Sequence, residues 1–160
     1  MGLRGCRKGL GMANDEWRTP EWVYKPYGPF DLDAAANAEN ALAPKFITKE
    51  MNALDVDWRD VMVPEDGHMV WCNPPYSQAG GPLSKWVETF LYWHANGFNI
   101  TALLPADTST KWFHLLWEAS DDEGYISITF LDRRVRHLDP QTGKPGGSPK
   151  FGSLIAEFSV

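Results

Sequence analysis

A chain of 160 residues with 43% hydrophobic side chains, eight Trp and eight Phe among them, can build one domain that buries about 70% of its unfolded surface, and 22% charged residues exclude general disorder. No signal-peptide pattern and no apolar run of about 18 residues occurs, which excludes a membrane-spanning helix and makes a cytoplasmic protein the expectation. The net charge of −6 is unevenly placed: residues 12–130 hold seven Lys and Arg against eighteen Asp and Glu, whereas 131–151 hold five against two.

Residues 1–13, Gly-rich and basic, read as a flexible N-terminal tail, and 14–160 as a single domain without linker or repeat. Thr19-Pro20 reads as an N-cap followed by proline at the first helical position, with Pro26 and Gly28 limiting the helix to little more than one turn. Phe30-Asp31-Leu32-Asp33 alternates apolar and acidic side chains, as a short strand does, and runs into Ala34-Ala35-Ala36. Phe46-Ile47-Thr48 is a second strand with Glu50 just beyond it. Met69 to Cys72 is expected as the fourth strand and Ile100 to Leu104 as the fifth.

Gln78 to Gly81 reads as a loop before a helix that starts at Pro82 and carries Leu83, Trp86, Val87, Phe90, Leu91 and His94 at helical spacing. Ser109 to Ala119 gives another helix with Trp112, Phe113, Leu116 and Trp117 inward. Tyr125 to Leu131 and Leu154 to Phe158 close the pattern as strands around a Gly- and Pro-rich loop. This alternation predicts an α/β fold: a doubly wound, mostly parallel sheet with an antiparallel edge. Cys6 and Cys72 have no CxxC spacing and His68, His94, His114 and His137 are scattered, so neither disulfides nor a metal site is expected, and the histidines read as surface or edge residues.

The most informative residues are Asn73-Pro74-Pro75-Tyr76, entered from the apolar run Met69-Val70-Trp71-Cys72. Two consecutive prolines fix φ and remove two backbone donors, so the strand must stop pairing and leave as a stiff turn. An amide and an aromatic ring are thereby held at a strand end. That pair suits the acceptance of hydrogen bonds from an exocyclic amino group by a site that stacks on the ring carrying it.

The tetrapeptide resembles the catalytic motif of S-adenosylmethionine-dependent amino methyltransferases, which modify adenine N6 in DNA and, in relatives, RNA guanine or protein glutamine. In order, Asp15 to Trp22, Gly28 to Ala35, Asp57-Trp58 and Trp71 to Tyr76 resemble the small phage-type DNA N6-adenine methyltransferases, from about Asn14 to the C-terminus. The resemblance implies a Rossmann-like class I methyltransferase with no separate target-recognition domain, acting in a host cytoplasm as an adenine-specific DNA methyltransferase. Its methyl donor would be S-adenosylmethionine and its partner DNA, without metal or membrane; a homodimer would help a small acidic protein to grip DNA.

Residue by residue, the resemblance makes Asn73 and the Pro74 carbonyl the acceptors of the two target amino hydrogens, with Pro75 stiffening the turn and Tyr76 stacking on an extruded base. It places Asp33 near the cofactor's amino group, beside the small-residue turn of Ala34 and Ala35; the alternative is a strand-end Asp capping the next helix. Glu50 stands where an acidic side chain accepts ribose hydroxyls, or is a solvated Glu. By the same resemblance Asp57-Trp58 marks the third strand, and Asp57 would meet the cofactor's adenine with Trp58 packed beside it, unless Trp58 is core. Thr19 and Pro20 would face the methionine carboxylate or merely start a helix. Arg133, Arg134, Arg136 and Lys150, flanking Gly143 to Gly147, are candidates for phosphate contact. An RNA or protein-amide acceptor and an inactive DNA-binding module remain alternatives.

Overall fold

The computed structural model describes residues 16–76, 81–121 and 124–160. The tail expected over 1–13 and the stretch from Gln78 to Gly80 lie outside the described residues. In chain order the elements are α1 (Glu21–Tyr24), β1 (Leu32–Asp33), β2 (Lys45–Phe46), a 3₁₀ turn (Trp58–Asp60), β3 (Met69–Cys72), α2 (Leu83–Ala95), β4 (Asn99–Pro105), α3 (Lys111–Asp121), β5 (Ile126–Phe130) and β6 (Ser153–Phe158).

Six strands form one sheet in the order β2-β1-β3-β4-β6-β5. The pairs β1–β2, β1–β3 and β3–β4 are parallel, while β6 runs antiparallel to both β4 and β5. The register places Leu32 opposite Val70, and Val70 opposite Ile100. Strand β4 is buried along its length from Ile100 to Leu104, which is why its sequence is continuously apolar rather than alternating.

On one face, α2 and α3 cover the sheet. Helix α2 turns Trp86, Val87, Phe90 and Trp93 inward, an apolar stripe at helical spacing, and ends where Gly97 takes φ of 95°. Trp93 stacks on Trp58 at 5.7 Å between centroids, with Phe98 edge-on to both. The opposite face packs Phe30, Trp71, Leu103 and Ile155 against Val23 of α1 and Val135 of the β5–β6 connection. Among the described residues that second layer is a one-turn helix and extended chain, so there the expected winding of helices over both faces is full on one face and reduced to α1 on the other.

Four local expectations are corrected. No strand forms at Asp57-Trp58: Asp57 accepts the Arg59 N–H at 2.9 Å and caps a 3₁₀ turn instead, leaving Met69–Cys72 as the third strand. Pro20, in extended conformation, is itself the N-cap of α1, so Thr19 lies outside the helix. The second strand spans Lys45–Phe46, one residue into the predicted range, although Ile47 still pairs with the β1 side, donating its N–H to the Asp33 carbonyl at 2.9 Å and accepting the Ala36 N–H at 3.1 Å. Trp117 is 51% exposed, stacked on the outer side of Phe113, because α3 meets the sheet through Trp112, Phe113 and Leu116 only.

Candidate active site

Strands β1 to β4 are mutually parallel, so their C-terminal ends share one edge of the sheet, the edge where open α/β sheets bind ligands. Two cavities open there. The first, about 520 Å³, is lined by Ala34, Ala35 and Ala36 beyond β1, by Ile47 to Glu50 beyond β2, and by Asn73, Pro75, Leu54 and Trp86. The second, about 560 Å³, is lined by Asn73 to Tyr76, Pro105 and Ser153, by Trp17, and by Val135, His137 and Lys150 of the β5–β6 connection. Asn73 and Pro75 line both cavities, so the rigid turn is their common wall.

The turn is held from three sides. The Tyr76 hydroxyl donates to the Leu103 carbonyl at 3.2 Å, and its burial pushes the phenol pKa up and keeps it a donor. The ring itself remains 45% exposed, a flat face toward the second cavity. The Asn73 side-chain nitrogen donates to Thr19 Oγ1 at 3.2 Å and lies 3.2 Å from His137 Nε2. Where His137 Nε2 is the acceptor, both amide hydrogens are taken and Asn73 Oδ1 is the atom left for an incoming donor.

Asp33 lies 3% exposed at the end of β1, yet it is not among the residues lining either cavity. One carboxylate oxygen accepts the Ala35 N–H at 3.2 Å and the other the Leu42 N–H at 3.0 Å. Burial raises its pKa to about 6 against the lowering effect of those two bonds. Its geometry is that of a strand-end Asp shaping the small-residue turn. Asp31, two residues earlier, accepts the Met69 N–H at 2.8 Å and ties β1 to the start of β3.

Glu50 is exposed and lines the first cavity together with Glu16 and Lys49. Asp57 and Trp58 are not brought there. Asp57 pairs with Arg59, whose hydrogen bond holds its carboxyl below the usual range, and lines a separate depression with Lys85 and Tyr92. Trp58 is fully buried and donates Nε1 to the Ala53 carbonyl at 2.9 Å, as a core residue does. Thr19 and Pro20 line neither cavity; Thr19 reaches the site through its bond to Asn73.

The basic residues divide by what they touch. Arg133 lies 3.9 Å over the Trp22 ring, Arg134 donates to the Pro149 carbonyl, and Arg136 donates Nε to the Gly146 carbonyl at 2.8 Å. All three are exposed and brace the β5–β6 connection from outside. Lys150 alone among them lines a cavity. Gly146 lies flat on Trp17, where a Cβ would come within 2.2 Å of the ring.

His137 was not expected at the site. Burial pushes its pKa down, and it bonds the central amide of the turn. The signal for it is the alternation Val135, Arg136, His137, in which Val135 is buried, Arg136 exposed and His137 half-buried, the period of an extended segment with one face inward. Among the described residues no group of three His, Cys, Asp or Glu is placed to hold a metal ion.

Comparison with known proteins identifies relatives among phage methyltransferases. The chain is 35% identical over 157 residues to the DNA N-6-adenine-methyltransferase of Escherichia phage T1, covering 89% of this chain and 62% of that protein. It is 32% identical over 159 residues to the DNA N-6-adenine-methyltransferase of Haemophilus phage HP1, covering 90% and 86%. The chain thus spans less than two thirds of the phage T1 protein and most of the phage HP1 protein. No solved structure matches significantly. The family described as DNA N-6-adenine-methyltransferase (Dam) matches residues 8–156, and the chain belongs to that family.

Proposed function

We propose that the protein transfers a methyl group from S-adenosylmethionine to adenine N6 in DNA. The observation that carries the proposal is the shared wall: one rigid Asn-Pro-Pro-Tyr turn lines two cavities at the C-terminal edge of the parallel strands. Family membership and the names of both phage relatives support the acceptor. The sheet order, with β6 antiparallel between β4 and β5, supports a Rossmann-like arrangement of the class I methyltransferase type.

The first cavity fits the methyl donor. Its volume lies within the range of about 300–1,000 Å³ for small-molecule sites. Alanine side chains let backbone approach a ligand that has no pyrophosphate to cradle, while Ile47, Leu54 and Trp86 supply apolar wall for a flat ring. Glu16 and Glu50 offer acceptors to ribose hydroxyls and negative charge to a cationic ligand. When bound, S-adenosylmethionine supplies an electrophilic methyl group.

The second cavity receives the base. The target base must be unpaired or extruded, because its amino group is out of reach inside a duplex. Tyr76 gives it a flat surface and Trp17 stands on the same cavity, so stacking compensates part of the lost base pairing. Asn73 Oδ1 and the Pro74 carbonyl accept the two N6 hydrogens. Adenine N6 is a poor nucleophile because its lone pair is delocalised into the ring. Two acceptors favour a tetrahedral nitrogen, localise that pair and direct it past the turn toward the first cavity. There the N–C bond would form as the C–S bond of the donor breaks and leaves a neutral thioether, so that placement supplies much of the rate. No strong base is required, as the proton leaves only once the nitrogen has been methylated.

Lys150 stands where a flanking phosphate can be met. The β5–β6 connection, braced by Arg133, Arg134 and Arg136, forms the outer wall of the base cavity, and target choice rests on such loops. Expression in a host lacking adenine methylation, with modified bases mapped across the genome, tests the proposal. N6-methyladenine at a defined motif supports it. Unmodified DNA, together with methylation of a glutamine peptide or of RNA by the purified protein, replaces it.

A further inference from the structure

We propose that His137 is a positioning residue that orients the Asn73 side-chain amide through an imidazole nitrogen acting as acceptor. The inference rests on the reading of Asn73 as acceptor of the target amino group. The amide has two faces to choose between. In one, Nδ2 donates to Thr19 Oγ1 and His137 Nε2, each at 3.2 Å, and Oδ1 is presented to the substrate. In the other, the amide is turned over, Oδ1 accepts from both neighbours, and an N–H faces a substrate that also offers N–H.

Threonine cannot decide between them, because a hydroxyl donates and accepts equally well. Histidine can. A neutral ring with its proton on Nδ1 has Nε2 as an obligate acceptor and enforces the productive face, whereas an imidazolium donates from both nitrogens and enforces the unproductive one. One proton on a residue 64 positions away from Asn73 thus sets which atom the substrate meets.

The surroundings favour the neutral ring. Burial pushes the His137 pKa below its ordinary value. The charged and titratable groups near it are Arg136, Asp139, Arg18, Tyr76 and Lys150. On its own segment, Arg136 is bonded to the Gly146 carbonyl, and Asp139 accepts the Gln141 and Thr142 N–H groups. Arg18 meets this segment through its backbone pairing with Leu138, and Tyr76 and Lys150 line the same cavity, Tyr76 with its hydroxyl committed to Leu103. No carboxylate lines that cavity among the described residues to stabilise an imidazolium there.

Two substitutions separate an orienting role from mere packing. His137→Leu removes the acceptor and should lower kcat about tenfold or more at neutral pH, the size expected for one misplaced hydrogen bond, with cofactor affinity within about threefold. His137→Gln permits the productive face through its carbonyl oxygen, though its NH₂ does not enforce it, and carries no titrating proton. It should recover part of the lost kcat and abolish the acid-side fall in kcat expected for the native enzyme below the ordinary imidazole value of about 6.5. An unchanged kcat in His137→Leu, or an acid limb that persists in His137→Gln, overturns the proposal.

A measurement independent of turnover completes the test. In ¹H–¹⁵N spectra of the full chain, the Asn73 side-chain NH₂ resonances should shift with the same midpoint as the His137 imidazole. Coupled titration supports the inference; independent titration overturns it. Coupled titration in a protein that transfers no methyl group to DNA keeps the orienting role and overturns the assigned reaction instead.

Discussion

The hydroxyl of Tyr76 donates to the main-chain carbonyl of Leu103, 27 positions later, at 3.2 Å. This bond anchors the end of the Asn-Pro-Pro-Tyr turn to the most deeply buried strand and leaves one ring face open. Tyr76→Phe and Tyr76→Ala should therefore behave differently. The Phe variant loses about 1 kcal/mol of stability and keeps a stacking surface, whereas the Ala variant loses about 1–3 kcal/mol of DNA binding as well. Thermal unfolding and DNA titration measure the two effects separately.

Glu50 and Asp57 are both acidic residues beyond β2, but only Glu50 lines the alanine-walled cavity. Glu50→Ala should weaken S-adenosylmethionine binding about tenfold, the loss of one charge-assisted contact. Asp57→Ala should leave that affinity within about twofold and affect only the local 3₁₀ turn. Calorimetric titration of both variants decides which acidic residue serves the cofactor.

Asp33 makes a prediction about pH. Its pKa is raised by burial from 3.8 to about 6 in the folded protein, so the fold binds this proton more tightly than the unfolded chain does. The stabilisation is fully present below the unfolded value near pH 4 and is lost as pH rises through about 6. The wild-type protein should therefore lose on the order of 2–3 kcal/mol relative to Asp33→Asn between about pH 4 and 7. Chemical unfolding of the pair across that range checks the sign.

Lys150 lines the second cavity, while Arg134 and Arg136 donate hydrogen bonds to the carbonyls of Pro149 and Gly146. Lys150→Ala should reduce the salt dependence of DNA binding by about one phosphate contact without altering the fold. Arg136→Ala should instead loosen the connection that carries His137 and lower kcat along with DNA affinity.

Much of the fold was legible because its signals are local. The helix over Leu83–Ala95 announces itself by Trp86, Val87, Phe90 and Trp93 at one face, and the strands at Met69–Cys72 and Asn99–Pro105 by short apolar runs ending at proline. Asp57-Trp58 misled because a side-chain cap and a buried indole bond are tertiary outcomes that strand-like composition does not exclude. Trp117 misled because helical spacing alone does not say how wide the buried stripe is. At the site, the turn and the alanine wall were readable from residue type and resemblance. The clamp of Thr19 and His137 on Asn73 was not, since it joins residues 54 and 64 positions apart, and the short alternation Val135 to His137 says which side faces inward but not what it meets there.

The central claim is that the turn between the two cavities carries a methyl group onto adenine N6. DNA incubated with the purified protein and methyl-labelled S-adenosylmethionine, digested to nucleosides and analysed by mass spectrometry, tests it most directly. The account predicts label in N6-methyladenine alone, with the signal reduced about a hundredfold or more in Asn73→Ala while that variant still binds the methyl donor within a few-fold. Label in another base, or undiminished N6-methyladenine from Asn73→Ala, would contradict it.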